Sequence, residues 1–292
     1  MEILNSIQPA MFRCAILDFD GTVSLIREGW QQVMIPYFVE VLRKTPLGKD
    51  TDPGELERET RDFVDFLTGK QTIYQCLQLA EEVQKRGGVA EEPIQYKHEY
   101  HRRLEQRIAG RIAELEQGCN PKEHLVPGSC ELLEMLRRHG ITVYLASGTD
   151  EKYVKQEAAL LKLTDYFNGG IYGAQDDYQK FSKAMVIQKI IADNNLVGAE
   201  LVGFGDGYVE IENVKAVGGF AVGVASDEAN RAGIDAWKRD RLIKAGADVI
   251  IPDYRDLEEI ERYLFECHCD SGNTGAVLES QAFLTPHQEK LA

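Results

Sequence analysis

Three short stretches of this sequence carry side chains that could do chemistry together: Asp18-Phe19-Asp20-Gly21-Thr22, Ala146-Ser147-Gly148-Thr149 and Gly205-Asp206-Gly207. Each follows an apolar run of the kind that forms a buried strand. In an open α/β sheet, ligands bind beyond the carboxyl ends of the strands, so these groups should converge on one crevice. Asp18, Asp20 and Asp206 would then crowd three carboxylates together, an unfavourable arrangement unless a cation neutralises it. All-oxygen ligands with room for water suit Mg²⁺ better than zinc. Gly21 lets the backbone turn sharply after the Asp pair, and Thr22 can hold that turn.

The elements that must position these residues are legible as short apolar runs at Cys14–Asp18, Ile141–Leu145, Leu201–Phe204, Phe220–Val224 and Asp248–Ile251. They lack strict alternation, as expected of parallel strands covered on both faces. Helical patterns lie between them: one from Pro127-Gly128 to Gly140, one over about Asp150 to Leu163, one over about Ser182 to Asn194. Strand and helix alternating in this way predict βαβ units and an α/β fold. The first crossover is interrupted by about a hundred residues that read as four helices, at Trp30–Arg43, Glu55–Leu67, Thr72–Lys85 and Pro93–Glu116. The expected organisation is therefore an α/β core over 1–23 and 126–265, an all-helical insert over 24–125, and a poorly ordered tail over 266–292.

The chain has 292 residues, with 33 Lys and Arg against 48 Asp and Glu, a formal charge of −15. That length supports a buried core. Its acidity argues against nucleic-acid binding, which needs a basic face to release counterions. It does not exclude a small anion, because a few local cations can outweigh a distant field. No apolar run reaches the roughly 20 residues of a membrane span, and the start, MEILNSIQPAMFRC, shows no secretory leader. Six scattered cysteines give no paired metal motif; Cys267 and Cys269, flanking His268, read as a reduced tail. A cytoplasmic protein follows as the default, with no nucleic-acid or membrane partner and an oligomeric state the sequence does not specify.

Asp18-Phe19-Asp20-Gly21-Thr22-Val23 resembles the first motif of the haloacid dehalogenase superfamily of phosphatases, and Leu145-Ala146-Ser147 resembles its second. A lysine at a helix start fits the third, and Gly205-Asp206-Gly207-Tyr208-Val209-Glu210 the fourth, in the family's order, over about Phe12 to Leu264. The helical insert is similar to the family's C1-type cap, as in phosphoglycolate- and phosphosugar-phosphatase-like members. The resemblance implies a Rossmann-like core and a Mg²⁺-dependent phosphatase acting on a small phosphomonoester, a phosphosugar or phosphorylated small acid. It implies Asp18 as a nucleophile that becomes an aspartyl phosphate, and Asp20 as general acid and base. Ser147, the Gly148 amide and Lys183 would hold the phosphate. Asp18, Asp20 (through its backbone carbonyl) and Asp206 would hold the metal.

Some readings stay open on the residues. Lys183, behind the candidate N-cap Ser182, is preferred to Lys180. Glu210 stands where relatives carry Asp and is expected in the outer shell of the metal; Glu212 competes with it. Arg27 and Trp30 read equally well as substrate contacts or as a salt-bridged arginine and a core tryptophan. Asp176 and Asp177 read as solvated, as does the helix face from Lys97 to Arg103 with its interleaved glutamate. The competing functions are a phosphosugar mutase or phosphotransferase on the same fold, and a binding module without turnover. Asp20 argues against dehalogenation.

Overall fold

The computed structural model describes residues 1–6, 12–175 and 177–266. Strands β1 (Glu2–Ile3) and β2 (Cys14–Leu17) precede four consecutive helices, α1 (Gln31–Leu42), α2 (Pro53–Phe66), α3 (Thr72–Lys85) and α4 (Pro93–Glu116). After α5 (Ser129–Arg138) the chain alternates regularly through β3 (Thr142–Asp150), α6 (Glu151–Leu160), β4 (Gly170–Ala174), α7 (Lys183–Asn194) and β5 (Leu201–Gly205). It ends with α8 (Tyr208–Ala216), β6 (Phe220–Val224), α9 (Ala236–Lys244), β7 (Val249–Ile251) and α10 (Leu257–Phe265).

The strands form one sheet in the order β1-β7-β6-β5-β2-β3-β4, parallel throughout except for β1. Successive side chains of a strand point to opposite faces. Along β2, accordingly, Ala15 and Leu17 enter one apolar cluster while Cys14 and Ile16 enter another on the opposite face. Val143 and Leu145 likewise separate from Tyr144 and Ala146. Both faces being buried, every β2 residue is apolar, which is why the run shows no alternation in sequence. The α/β reading is therefore correct. Two strands escaped it, both at sheet edges: β1 has only two residues, and β4 is Gly-Ile-Tyr-Gly-Ala, too glycine-rich to show a strand signal. Strand β3 also runs further than expected, through Ser147 to Asp150, with a shift of register against β4 between Ala146 and Asp150.

Residues 24–125 contain α1–α4. The chain leaves and returns at adjacent points: Ser24 and Leu125 form an antiparallel bridge, and Leu25 N donates to His124 O at 2.8 Å. The four helices bury Phe38, Leu42, Leu56, Val64, Leu79 and Leu104 among themselves. Asp52 starts α2 by accepting from Gly54 N and Glu55 N, with Pro53 supplying a φ suited to the first turn.

The helices lie over the carboxyl ends of the strands and are tied there by polar contacts. Gln71 Nε2 donates to Phe181 O at 2.7 Å and Tyr178 O at 3.1 Å, and Tyr208 Oη donates to Phe66 O at 3.2 Å. Lys97 on α4 meets Asp150 at the end of β3, Nζ to Oδ1 2.5 Å, with the His101 ring 3.8 Å from the same carboxylate. This corrects the expectation of a solvated face over Lys97 to Arg103. Only Glu99, Arg102 and Arg103 pair near the surface, while Lys97, Tyr100 and His101 are buried against β3 and α6. Among the described residues, no helix is long and apolar enough to cross a membrane. The tail cysteines Cys267 and Cys269, His268 and Asp176 lie outside the described residues.

Candidate active site

Strands β2, β3 and β5 are neighbours in register, so their carboxyl ends deliver Asp18, Ser147 and Asp206 to one place. A cavity of roughly 100 Å³ opens there, between the sheet and the helices above it. Asp18, Asp20, Ser147, Gly148, Lys183 and Asp206 all line it from the sheet side. Trp30, Met34, Thr68, Lys70, Tyr100 and Leu104 line it from the helical side.

The turn after β2 is built for close approach. Gly21 has φ +73°, and a Cβ there would lie 2.2 Å from Asp206 Oδ2. Thr22 holds the turn as expected, its Oγ1 accepting from Asp206 N at 2.9 Å. Gly148 packs beneath the loop before α3, where a Cβ would stand 2.8 Å from Lys70 O. Only glycine lets these backbones come so near.

Lys183 opens α7 behind Ser182, whose Oγ accepts from Met185 N at 3.1 Å. Its Nζ lies 2.9 Å from Asp18 Oδ1. Lys180 is exposed and pairs with Asp177 at 3.0 Å, so it is Lys183 that reaches the cavity. Glu210 is buried in the first turn of α8 and pairs with Lys183; apart from that ion pair its oxygens have no hydrogen-bond partner. It does not line the cavity. The glycines of Gly205-Asp206-Gly207 admit it, since a Cβ on Gly207 would sit 2.5 Å from Glu210 Oε2. It pairs with the lysine and shares a small space with Lys183 and Asp18, whereas Glu212 is exposed.

Asp20 Oδ2 accepts from Thr149 Oγ1 at 2.9 Å and from Ser147 Oγ at 3.4 Å. Its Oδ1 is buried without a hydrogen bond, 3.9 Å from Arg27 Nε. Arg27 lines the cavity, but its guanidinium is spent on Glu157 of α6, Nη2 to Oε1 2.6 Å and Nε to Oε1 3.1 Å. Burial pushes the Asp18 and Asp20 carboxyls up to about 6, with neighbouring Asp206 adding to the rise while Lys183 and Arg27 oppose it.

Three contributors carried no motif, Glu157, Glu228 and Lys238, while Thr149 stood in the second stretch with no role of its own assigned. Glu228 lines the cavity beside Asp206, and Lys238 of α9 reaches both carboxylates. A faint signal existed for two of them, a charge inside an apolar helical stripe: Glu157 beside Val154 and Ala158, and Lys238 four residues before Leu242.

The donor set fits a hard divalent cation. Asp18 and Asp206 repel one another across the cavity, a buried Asp20 oxygen accepts no hydrogen bond, and every candidate ligand is oxygen. Among the described residues no three His, Cys, Asp or Glu side chains alone make a metal cluster. The expected set uses two carboxylate side chains and one backbone carbonyl, so it falls outside that pattern.

Known structures share this architecture. A predicted phosphoglycolate phosphatase from Haemophilus somnus 129PT superposes with a TM-score of 0.57 at 15% identity, over 87% of this chain and 99% of that one. β-Phosphoglucomutase from Clostridium difficile gives 0.59 at 16% identity, over 87% and 97%. A predicted phosphatase from Clostridium acetobutylicum gives 0.56 at 16%, over 88% and 100%. At such identities the likeness is one of fold. No curated protein matches by sequence. The sequence profile of the haloacid dehalogenase-like hydrolases matches residues 12–218, and with the motifs at the strand ends the chain belongs to that family of hydrolases.

Proposed function

We propose that this hydrolase is a Mg²⁺-dependent phosphatase that cleaves a small phosphomonoester through an aspartyl phosphate on Asp18. The observation that carries the reading is the convergence of Asp18, Asp20, Ser147, Gly148, Lys183 and Asp206 on one covered cavity.

In the first step a carboxylate oxygen of Asp18 forms a bond to phosphorus as the ester P–O bond breaks. The departing alkoxide takes its proton from Asp20. A carboxyl at about 6 is near enough to neutrality to give and recover a proton at low cost. In the second step Asp20 removes a proton from water, the water oxygen bonds to phosphorus, and the Asp18–phosphorus bond breaks to release phosphate. Lys183, 2.9 Å from Asp18 Oδ1, orients the nucleophile and places a positive charge beside the phosphoryl oxygens. Ser147 and the Gly148 amide donate to those oxygens. Asp18, the Asp20 backbone carbonyl and Asp206 would hold Mg²⁺, which when bound offsets the repulsion between carboxylate and phosphate. Glu210 acts through Lys183, fixing its ammonium, and stays outside direct ligation.

Residues 24–125 act as a cap over the core of 1–23 and 126–265. They exclude water from the phosphoryl group, and the size of the space they leave favours a phosphosugar or phosphorylated small acid over a phosphoprotein.

The test is phosphate release from a panel of small phosphomonoesters with Mg²⁺ or with EDTA, beside Asp18→Asn. Turnover should vanish in EDTA and in the variant. Turnover that survives Asp18→Asn would overturn the mechanism, and isomerised sugar phosphate without free phosphate would identify a mutase.

A further inference from the structure

Lys238 enters the site from α9, an element that carries none of the four motifs. Asp235 Oδ1 accepts from its backbone N at 2.9 Å, and the side chain then runs inward until only 8% of the residue is exposed. Its Nζ lies 2.6 Å from Glu228 Oε1, 2.8 Å from Asp206 Oδ2 and 3.3 Å from Ser226 Oγ, so all three ammonium protons have acceptors. Ser226 in turn donates to Gly21 O at 2.7 Å. A Cβ on Gly21 would meet Asp206 Oδ2 at 2.2 Å and Glu228 Oε1 at 2.9 Å, so both carboxylates crowd one turn with the ammonium between them.

We propose that Lys238 and Glu228 set the affinity of the site for its divalent cation, Lys238 by competing for Asp206 and Glu228 by drawing Lys238 away. This inference rests on the metal reading given above. A resident ammonium beside Asp206 disfavours a second cation on the same carboxylate by direct repulsion. The carboxylate of Glu228 counters that effect by giving the lysine a partner of its own. The two residues therefore have opposite signs, which a purely structural pair would not.

The experiment titrates chelator-treated full-length protein with Mg²⁺ by calorimetry, without substrate, and records melting temperatures with and without the ion. Lys238→Met should bind about tenfold more tightly and Glu228→Gln about tenfold more weakly, on the order expected for one unit charge at this range. The double variant has the charge of the wild type and should bind at least as tightly as it. Asp206→Asn should lose binding. Weaker binding by Lys238→Met would mean that the lysine organises the site rather than competing, and would overturn the inference. A double variant as weak as Glu228→Gln would do the same, making Glu228 a ligand. If the wild type binds no ion, or Asp206→Asn binds like the wild type, the metal reading itself falls and takes this inference with it. Should Lys238→Met prove unfolded in the metal-free melt, Glu228→Gln alone decides, and unchanged or tighter binding overturns the proposal.

Discussion

Removing the Arg27 guanidinium should cost far more stability than a surface ion pair could explain. The Arg27 and Glu157 side chains are 7% and 4% exposed. Three contacts join them: Nη2 to Oε1 at 2.6 Å, Nε to Oε1 at 3.1 Å and Nε to Oε2 at 3.2 Å. Truncating one member of such a pair leaves the other charge buried and uncompensated, at roughly 3–5 kcal/mol. Arg27→Met strands Glu157 in this way. Glu157→Met should cost less, because Arg27 retains the Asp20 carboxylate at 3.9 Å and stays over the Tyr153 ring. Arg27→Met/Glu157→Met removes both charges and should recover most of the loss, since apolar replacement of a whole buried pair is often close to neutral. Urea unfolding of the four proteins gives the coupling energy, expected near 3 kcal/mol. Single losses below about 1 kcal/mol, the range of exposed pairs, would refute the reasoning, as would a double variant that simply adds the two.

Burial and the surrounding cations Arg27, Lys97 and Lys152 push His101 down to about 3, outweighing the Asp150 carboxylate 3.8 Å away. Folded His101 then stays neutral while the unfolded chain takes up a proton below about 6.5, so stability falls as pH drops from that value towards 3. Between pH 6.5 and 5, wild type should lose about 1.6 kcal/mol more than His101→Gln in urea melts, and equal losses would exclude this contribution. Gly21→Ala places a Cβ 2.2 Å from Asp206 Oδ2 at φ +73°; it should cost about 1–3 kcal/mol in thermal unfolding, and an unchanged melt would show that the turn relaxes freely. Asp52→Ala removes the N-cap of α2, far from the cavity. It should lower stability by about 1 kcal/mol while leaving turnover intact, checked by a denaturant midpoint and a phosphate assay together.

What the sequence made legible follows from what its physics repeats. Strands buried on both faces read as apolar runs, and groups at their carboxyl ends must converge, so Asp18, Ser147 and Asp206 could be grouped before any coordinates. Ser182 before Lys183 marked a helix start, which favoured Lys183 over Lys180, and the structure places Lys183 beside Asp18. The edge strands were invisible because β1 is two residues long and β4 is two-fifths glycine. Glu157, Glu228 and Lys238 were missed for another reason. Glu157 meets Arg27 across 130 residues, while Glu228 and Lys238 are ten apart but joined by a loop between β6 and α9 that carries no period to read. Lys97 and His101 were misjudged because a helix with charges on it looks solvated until its neighbour is known.

These missed residues share a logic that the motifs alone do not reveal. Three buried cations reach the site, Lys183, Arg27 and Lys238, and each has a carboxylate of its own that lies outside the Asp trio: Glu210, Glu157 and Glu228. Three buried cations against three such glutamates cancel, so Asp18, Asp20 and Asp206 face only the exposed Lys70 across the cavity and negative charge remains in excess. A phosphate dianion entering that field would meet repulsion from every side unless more positive charge came with it. The pairing also explains how the site can be rich in cations while each lysine is shared between an aspartate and a glutamate. Lys183 and Lys238 each touch one aspartate while a glutamate holds them from behind, so the candidate nucleophile and the candidate metal ligand are oriented but share their cations. On this argument the glutamates matter to function by keeping the lysines occupied. Substitution of Glu210 or Glu228 by glutamine should release its lysine onto the neighbouring aspartate, and the resulting loss of divalent-cation affinity in a Mg²⁺ titration should exceed the loss of stability in a urea melt.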